Sequence, residues 1–144
     1  MMVKKIAQVP PPSVTAAAKV SDAVRVMGEM KGGACVVLEG DRLIGIFSER
    51  DLMRRVVAVD LDPGKIAVGE VMTRNPETVT TTTESQDALS FMVSRHIRHL
   101  PVVEENGNLF GLLSIRNLLH QHVEDLTDSL NSLEAYFKAD GPGG

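Results

Sequence analysis

Apolar positions along the chain follow two rhythms. Val20, Ala23, Val24, Met27 and Met30 recur at steps of three and four, the spacing of one helix face. Ala88, Leu89, Met92 and Val93 repeat that spacing later. After each helical stretch comes a run of small or β-branched residues, Ala34 to Leu38 and Leu100 to Val103. Each run predicts a buried strand. A polar turn follows, Glu39 to Arg42 or Glu104 to Asn108. The second contains Glu-Asn-Gly-Asn, a hairpin signal. Further strands are predicted over Leu43 to Phe47 and Leu109 to Leu113, and helices from Ser48 and Ser114. Short extended pieces, Val14-Thr15 and Thr78 to Thr80, open the two series.

The two series are copies of each other. Val36 to Leu52 lies on Val102 to Leu118 at an offset of 66, with 8 of 17 positions identical. Leu43/Leu109, Gly45/Gly111, Ser48/Ser114 and Arg50/Arg116 are among them. Upstream the offset is 65, where Val14-Thr15 matches Val79-Thr80 and Asp22-Ala23 matches Asp87-Ala88. The change of offset places one extra residue of copy two between its helix and its strand. Each unit reads β-α-β-β-α over about 50 residues. One unit alone is marginal; two packed sheet against sheet share a core. The expected fold class is α+β, two such repeats as a pseudo-twofold pair with an extended C-terminal helix. Residues 1–12, ending in three prolines, read as an extended N-terminal arm. Repeat one is expected over 13–59, a linker over 60–77 and repeat two over 78–125. Within the linker, Val68 to Met72 reads as a helical turn broken by Asn75-Pro76. A helical extension is expected over 126–139 and a disordered tail over 140–144.

Composition narrows the function. The 144 residues carry a net charge of -4, 3% aromatics and no Trp. That argues against nucleic-acid partners, which need cationic surface and often aromatic platforms. One Cys excludes an internal disulfide and an all-thiolate zinc site. No apolar run is long enough to span a membrane, and Met1 to Pro12 contains no signal-peptide core, so the cytoplasm is the expected compartment.

The tandem units resemble a pair of CBS domains, a Bateman module. The residues that carry the resemblance are Gly45-Ile46-Phe47-Ser48-Glu49-Arg50-Asp51 and Gly111-Leu112-Leu113-Ser114-Ile115-Arg116-Asn117. Ile97 to Val103 and Glu70-Val71-Met72-Thr73 add to it. The resemblance implies a regulatory module that binds an adenosine-containing ligand between the copies: AMP, ADP or ATP, with NAD(H) or S-adenosylmethionine as further options. It implies a homodimer and an effector protein as partners. From the first copy it implies Thr15, Gly33, Ala34, Phe47, Ser48, Arg50 and Asp51 as ligand-binding residues. From the second it implies Thr80, Arg98, His99, Leu100, Pro101, Ser114, Arg116 and Asn117. Arg98 and His99 stand where such proteins often contact phosphate.

The residues themselves have a chemical logic. Ser48 lies where strand becomes helix, a natural N-cap. Its hydroxyl and the N–H groups of the first turn are expected to form an anion site. Asp51 lies one turn on, at an expected exposed position facing the cleft, where its oxygens can accept from ribose hydroxyls. An ordinary capped helix uses the same residues. Copy two has Asn117 in place of the carboxylate, which weakens the sugar clamp. Copy one has Gly32-Gly33 opposite Arg98-His99, so one copy holds the clamp and the other the cation. Ala34, Cys35, Ile46 and Phe47 either border an adenine or belong to the core, and alternation favours the core. His96, His99, His120 and His122 lack converging acidic or thiol ligands, so no metal is expected. No nucleophile elbow, Walker loop or dinucleotide fingerprint occurs, so the chain is expected not to be an enzyme. A ligand-free interaction module and a regulatory subunit of a separate enzyme are the alternatives.

The last helix is expected to outrun its copy-one counterpart, which must stop near Val59. Leu118, Leu119, Val123, Leu126, Leu130, Leu133 and Phe137 form one apolar stripe, and the part past Asp125 has no partner within the repeat. The stripe either folds back on the module or meets a second copy, and the second copy is favoured.

Overall fold

The computed structural model describes residues 1–140; residues 141–144 of the expected tail lie outside the described residues. The first repeat contains β1 (Ser13–Thr15), α1 (Val20–Glu29), β2 (Ala34–Glu39) and β3 (Arg42–Ser48). Helix α2 (Glu49–Asp51) then continues as a π-helical segment, Leu52–Val57. Helix α3 (Val68–Val71) and β4 (Thr73–Arg74) follow. The second repeat has β5 (Val79–Thr80), α4 (Ser85–Arg95), β6 (His99–Val103), β7 (Leu109–Ser114) and the long α5 (Ile115–Asp140). One sheet has the order β1-β2-β3-β4 and the other β5-β6-β7. In each, the short first strand runs parallel to the second, and a hairpin supplies the third.

Three apolar clusters hold these elements. Val20, Met27, Val37 and Phe47 belong to the core of the first repeat. Met92, Leu100, Val102 and Leu113 belong to that of the second. Ala34, Val36 and Ile46 of one sheet meet Leu112 of the other in a third cluster, which joins the repeats. Strand β2 is therefore buried on both faces, which is why its sequence is apolar without alternation.

The structure corrects the repeat register. Val37 pairs with Gly45, and Val102 pairs with Gly111. Val37, not Val36, is thus the counterpart of Val102, and the offset stays at 65 through the strand. Both strands then shift register at the same place, between Val37 and Leu38 and between Val102 and Val103. The extra residue of copy two lies in its hairpin turn and not between helix and strand. The helix exits agree: Lys31 and His96 both adopt left-handed backbone, at φ 53° and 56°. A Val-Val pair in each copy made the two registers look alike. Burial separates them, because a one-residue slip would turn every side chain to the other face.

The N-terminal segment also departs from the expected extended arm. Val3–Lys5 form a 3-10 turn, and Val3 is fully buried in the core of the second repeat. Val3 N–H donates to Thr83 O at 2.9 Å, as Val68 N–H donates to Ala18 O at 2.8 Å. Gln8 and Leu112 exchange two backbone bonds of 2.8 and 3.1 Å. Residues 1–8 therefore complete the second repeat as 66–73 complete the first. Each repeat is closed by the segment that precedes the other one. Gly45 and Gly111 permit this: a Cβ on Gly111 would stand 2.7 Å from Gln8 O, and one on Gly45 would stand 3.0 Å from Thr73 O.

Candidate functional site

Two cavities lie along the seam between the repeats. The first, about 290 Å³, brings Ser48, Arg50 and Asp51 of the first repeat against Arg98 and His99 of the second. Gly33, Ile46, Thr73 and the carboxylates Glu49 and Glu77 are among the other lining residues. The second, about 540 Å³, has Ser114, Arg116 and Asn117 on one side and Gly33 and Ala34 on the other. Gln8 stands where Thr73 stands in the first, 65 residues on. Gly33 and His99 line both cavities, so the two adjoin at that pair.

Ser48 caps α2 from extended backbone, and the cap is reciprocal. Asp51 N–H donates to Ser48 Oγ at 3.3 Å, and Ser48 N–H donates to Asp51 Oδ2 at 3.0 Å. Ser48 Oγ also donates to Oδ2 at 3.1 Å, and Thr73 Oγ1 donates to Oδ1 at 3.2 Å. Arg55 Nε stands 3.6 Å from Oδ1. Asp51 is thus 8% exposed, which corrects the expected exposed position. The reason is the return of 66–73 across β3, which brings Thr73 over the carboxylate. A carboxylate offers about four acceptor directions, and protein donors hold most of them here.

The expected backbone anion site is also narrower. Glu49 N–H donates to Gly33 O at 3.0 Å and Asp51 N–H is taken by the cap. In the second repeat Ile115 N–H donates to Arg98 O at 2.9 Å and Asn117 N–H to Ser114 Oγ at 3.0 Å. The loop before each strand ties down the first N–H of the facing helix. Positive charge for a phosphate must come mainly from side chains. Arg98 is exposed at the first cavity and has no ion-pair partner among the described residues. Glu77, on the same wall, is paired with Arg95 at 3.4 Å. The second cavity carries Lys31 and Arg116 and is lined by no carboxylate.

His99 is half-buried between the cavities. Burial pushes its pKa below the usual histidine value; the Glu49 carboxylate opposes that shift and Arg98 adds to it. The ring is therefore neutral at pH 7, with one donor and one acceptor nitrogen. A Cβ on Gly33 would come within 3.2 Å of its Cε1, so Gly33 is the space into which the imidazole fits.

The remaining expected residues are placed elsewhere. Phe47 and Leu100 are fully buried in the two repeat cores and do not line a cavity. Pro101 is buried on β6, paired with Leu112. Thr15 and Thr80 are exposed at strand ends, and Thr80 bonds to Thr82 and Thr83 at 3.3 Å. Cys35 is buried in the first core with its thiol pushed up to about 12 by desolvation, so it is unreactive. Gln8 was not named from the sequence, and Thr73 and Glu49 were quoted only within motifs, not as ligand-binding residues. The 65-residue spacing between Gln8 and Thr73 was available as a signal, but the residue types differ and hid it. Among the described residues no cluster of three His, Cys, Asp or Glu side chains could hold a metal ion.

Comparison with known proteins agrees with this architecture. The CBS domain family matches residues 3–58 and 68–124, and the two matches begin 65 residues apart. The chain belongs to the CBS domain family, as a tandem pair. It is 37% identical over 108 residues to an uncharacterized 17.7 kDa protein of Acidianus ambivalens, covering 74% of this chain. It spans 62% of that relative's length, and 19% and 60% of two CBS domain-containing proteins of Arabidopsis thaliana. A protein with CBS domains from Burkholderia ambifaria superposes with a TM-score of 0.79 at 32% identity, over 87% of this chain and 96% of that one. The CBS domain protein PAE2072 of Pyrobaculum aerophilum, solved as a complex with AMP, gives 0.75 at 29% identity, over 81% and 89%.

Proposed function

We propose that this CBS pair is a non-enzymatic regulatory module that binds an adenosine-containing ligand of the AMP, ADP or ATP type between its repeats. The observation that carries the reading is the first cavity. It joins the Ser48–Asp51 cap of one repeat to the free cation Arg98 of the other. The ribose would approach Asp51 and share or displace the Thr73 hydroxyl. The phosphate would lie toward Arg98, whose guanidinium matches phosphate oxygens. Ile46 offers an apolar edge to the base. The AMP complex of the Pyrobaculum aerophilum relative supports this ligand class. NAD(H) and S-adenosylmethionine carry the same adenosine and are further members of the class. The protein would act in the cytoplasm as a homodimer and pass occupancy to an effector protein.

One observation favours a second reading. The Asp51 carboxylate is already well supplied with donors from Ser48 and Thr73. A helix cap that is complete without ligand suits a constitutive interaction module, or a subunit that regulates a separate enzyme. A thermal-shift panel of adenosine, AMP, ADP, ATP, NAD and S-adenosylmethionine separates the readings. A ligand specific for the native state raises the melting temperature with concentration. A flat response across the panel selects the ligand-free module.

A further inference from the structure

The two cavities are related by the repeat, yet their walls differ in charge. In the first, the opening turn of α2 carries Glu49 and Asp51, and Glu77 adds a third carboxylate beside the cations Arg50 and Arg98. In the second, the opening turn of α5 has Ile115 and Asn117 at the matching positions and no acidic residue. Arg116 there keeps the cation of Arg50. Lys31 stands where the first cavity has His96, 65 residues on. The second cavity therefore holds two cations and no carboxylate. Neither Lys31 nor Arg116 has an ion-pair partner among the described residues.

We infer that the second cavity is an oligophosphate site that reads phosphate and not sugar. It takes a di- or triphosphate group between Lys31 and Arg116, as a free anion or as the tail of a nucleotide. Unpaired like charges lining one concave site draw in a multiply charged anion. The Arg116 guanidinium matches two phosphate oxygens, and Lys31 supplies a point charge. Ser114 Oγ accepts the Asn117 N–H at 3.0 Å, which leaves its own O–H free to donate. The positive end of α5 adds to these groups, with no carboxylate in its first turn to offset it. A sugar finds no clamp, because Asn117 brings a neutral amide where Asp51 brings a carboxylate. At about 540 Å³ the cavity is of the size that small ligands occupy. Where the cavities adjoin, the Glu49 carboxyl carbon lies 3.4 Å from the place a Cβ on Gly33 would take. That carboxylate repels a phosphate chain from crossing into the first cavity, so the two sites are separate. Lys31 and Arg116 lie outside the first cavity, so this site stands whether or not adenosine binds there.

Titration calorimetry of sodium triphosphate into the full chain tests it, with Lys31→Gln, Arg116→Gln and Arg98→Ala beside the parent. Lys31 and Arg116 are exposed, so both glutamine variants are expected to melt as the parent does. The expected result is saturable binding that weakens about tenfold in each glutamine variant and falls with added salt. ATP that displaces triphosphate from the parent identifies a nucleotide tail as a source; triphosphate that ATP leaves in place identifies a free oligophosphate. Absence of saturable triphosphate binding overturns the inference, and so does binding that neither glutamine variant weakens. Loss of binding in Arg98→Ala alone would move the anion to the first cavity and overturn it. Displacement of triphosphate by adenosine, which has no phosphate, would overturn it too.

Discussion

Thr73 Oγ1 donates a hydrogen bond to Asp51 Oδ1 over 3.2 Å. Thr73 ends the 66–73 segment that closes the first repeat, Asp51 lies in α2, and both line the first cavity. Asp51→Ala removes the reciprocal cap, the Thr73 bond and the Arg55 contact together. Stability is expected to fall by about 2 kcal/mol, in the range of a lost cap plus an orphaned donor. Urea unfolding measures it; an unchanged midpoint would show that the cap contributes nothing. Asp51→Asn keeps one acceptor and is expected to cost less.

Arg98 is expected to act through charge. Arg98→Ala should weaken AMP by about tenfold, or 1.4 kcal/mol, while leaving adenosine within a factor of two. Its exposed position predicts little change in melting temperature. Equal losses for AMP and adenosine would move the phosphate away from Arg98.

His99 links stability to pH. Its folded-state pKa is lowered, so the unfolded chain binds the proton more readily. The stabilisation is complete above the unfolded value of about 6.5 and is lost as pH falls through the folded value. Melting temperature is expected to drop below pH 6.5, and His99→Gln should flatten that drop. An identical pH profile in the variant would assign the acid sensitivity to other groups.

Gly111 tests the exchanged closure. Gly111→Ala places a methyl 2.7 Å from Gln8 O. The N-terminal segment must shift, at a cost of about 1–3 kcal/mol, the range for overpacking. Hydrogen exchange at Val3 and Gln8 should rise in this variant before exchange in β2 does.

The sequence displayed whatever was local. Apolar spacing located α1, α4, the two hairpins and the caps at Ser48 and Ser114, and motif identity paired Gly45 with Gly111. The misread register came from Val36-Val37 and Val102-Val103, where identical neighbours fit either of two alignments. Only their burial, Val36 between the sheets and Val37 in its own core, tells them apart. The crossing of residues 1–8 to the second repeat was hidden because it is a contact between distant parts of the chain. The equivalent return of 66–73 to the first repeat set Thr73 over Asp51, so the burial of that carboxylate could not be read from the Ser-x-x-Asp spacing. Arg98 and His99 were legible as a polar pair in a loop; that they face Ser48 across one cavity required the pseudo-twofold packing.

The central claim is that the first cavity holds the sugar and phosphate of an adenosine ligand between the two repeats. Titration calorimetry of AMP into the full chain, beside Asp51→Asn and Arg98→Ala, tests it most directly. Saturable binding by the parent, weakened in both variants, is the expected result. Absence of saturable AMP binding by the parent, or binding that neither variant alters, would contradict it.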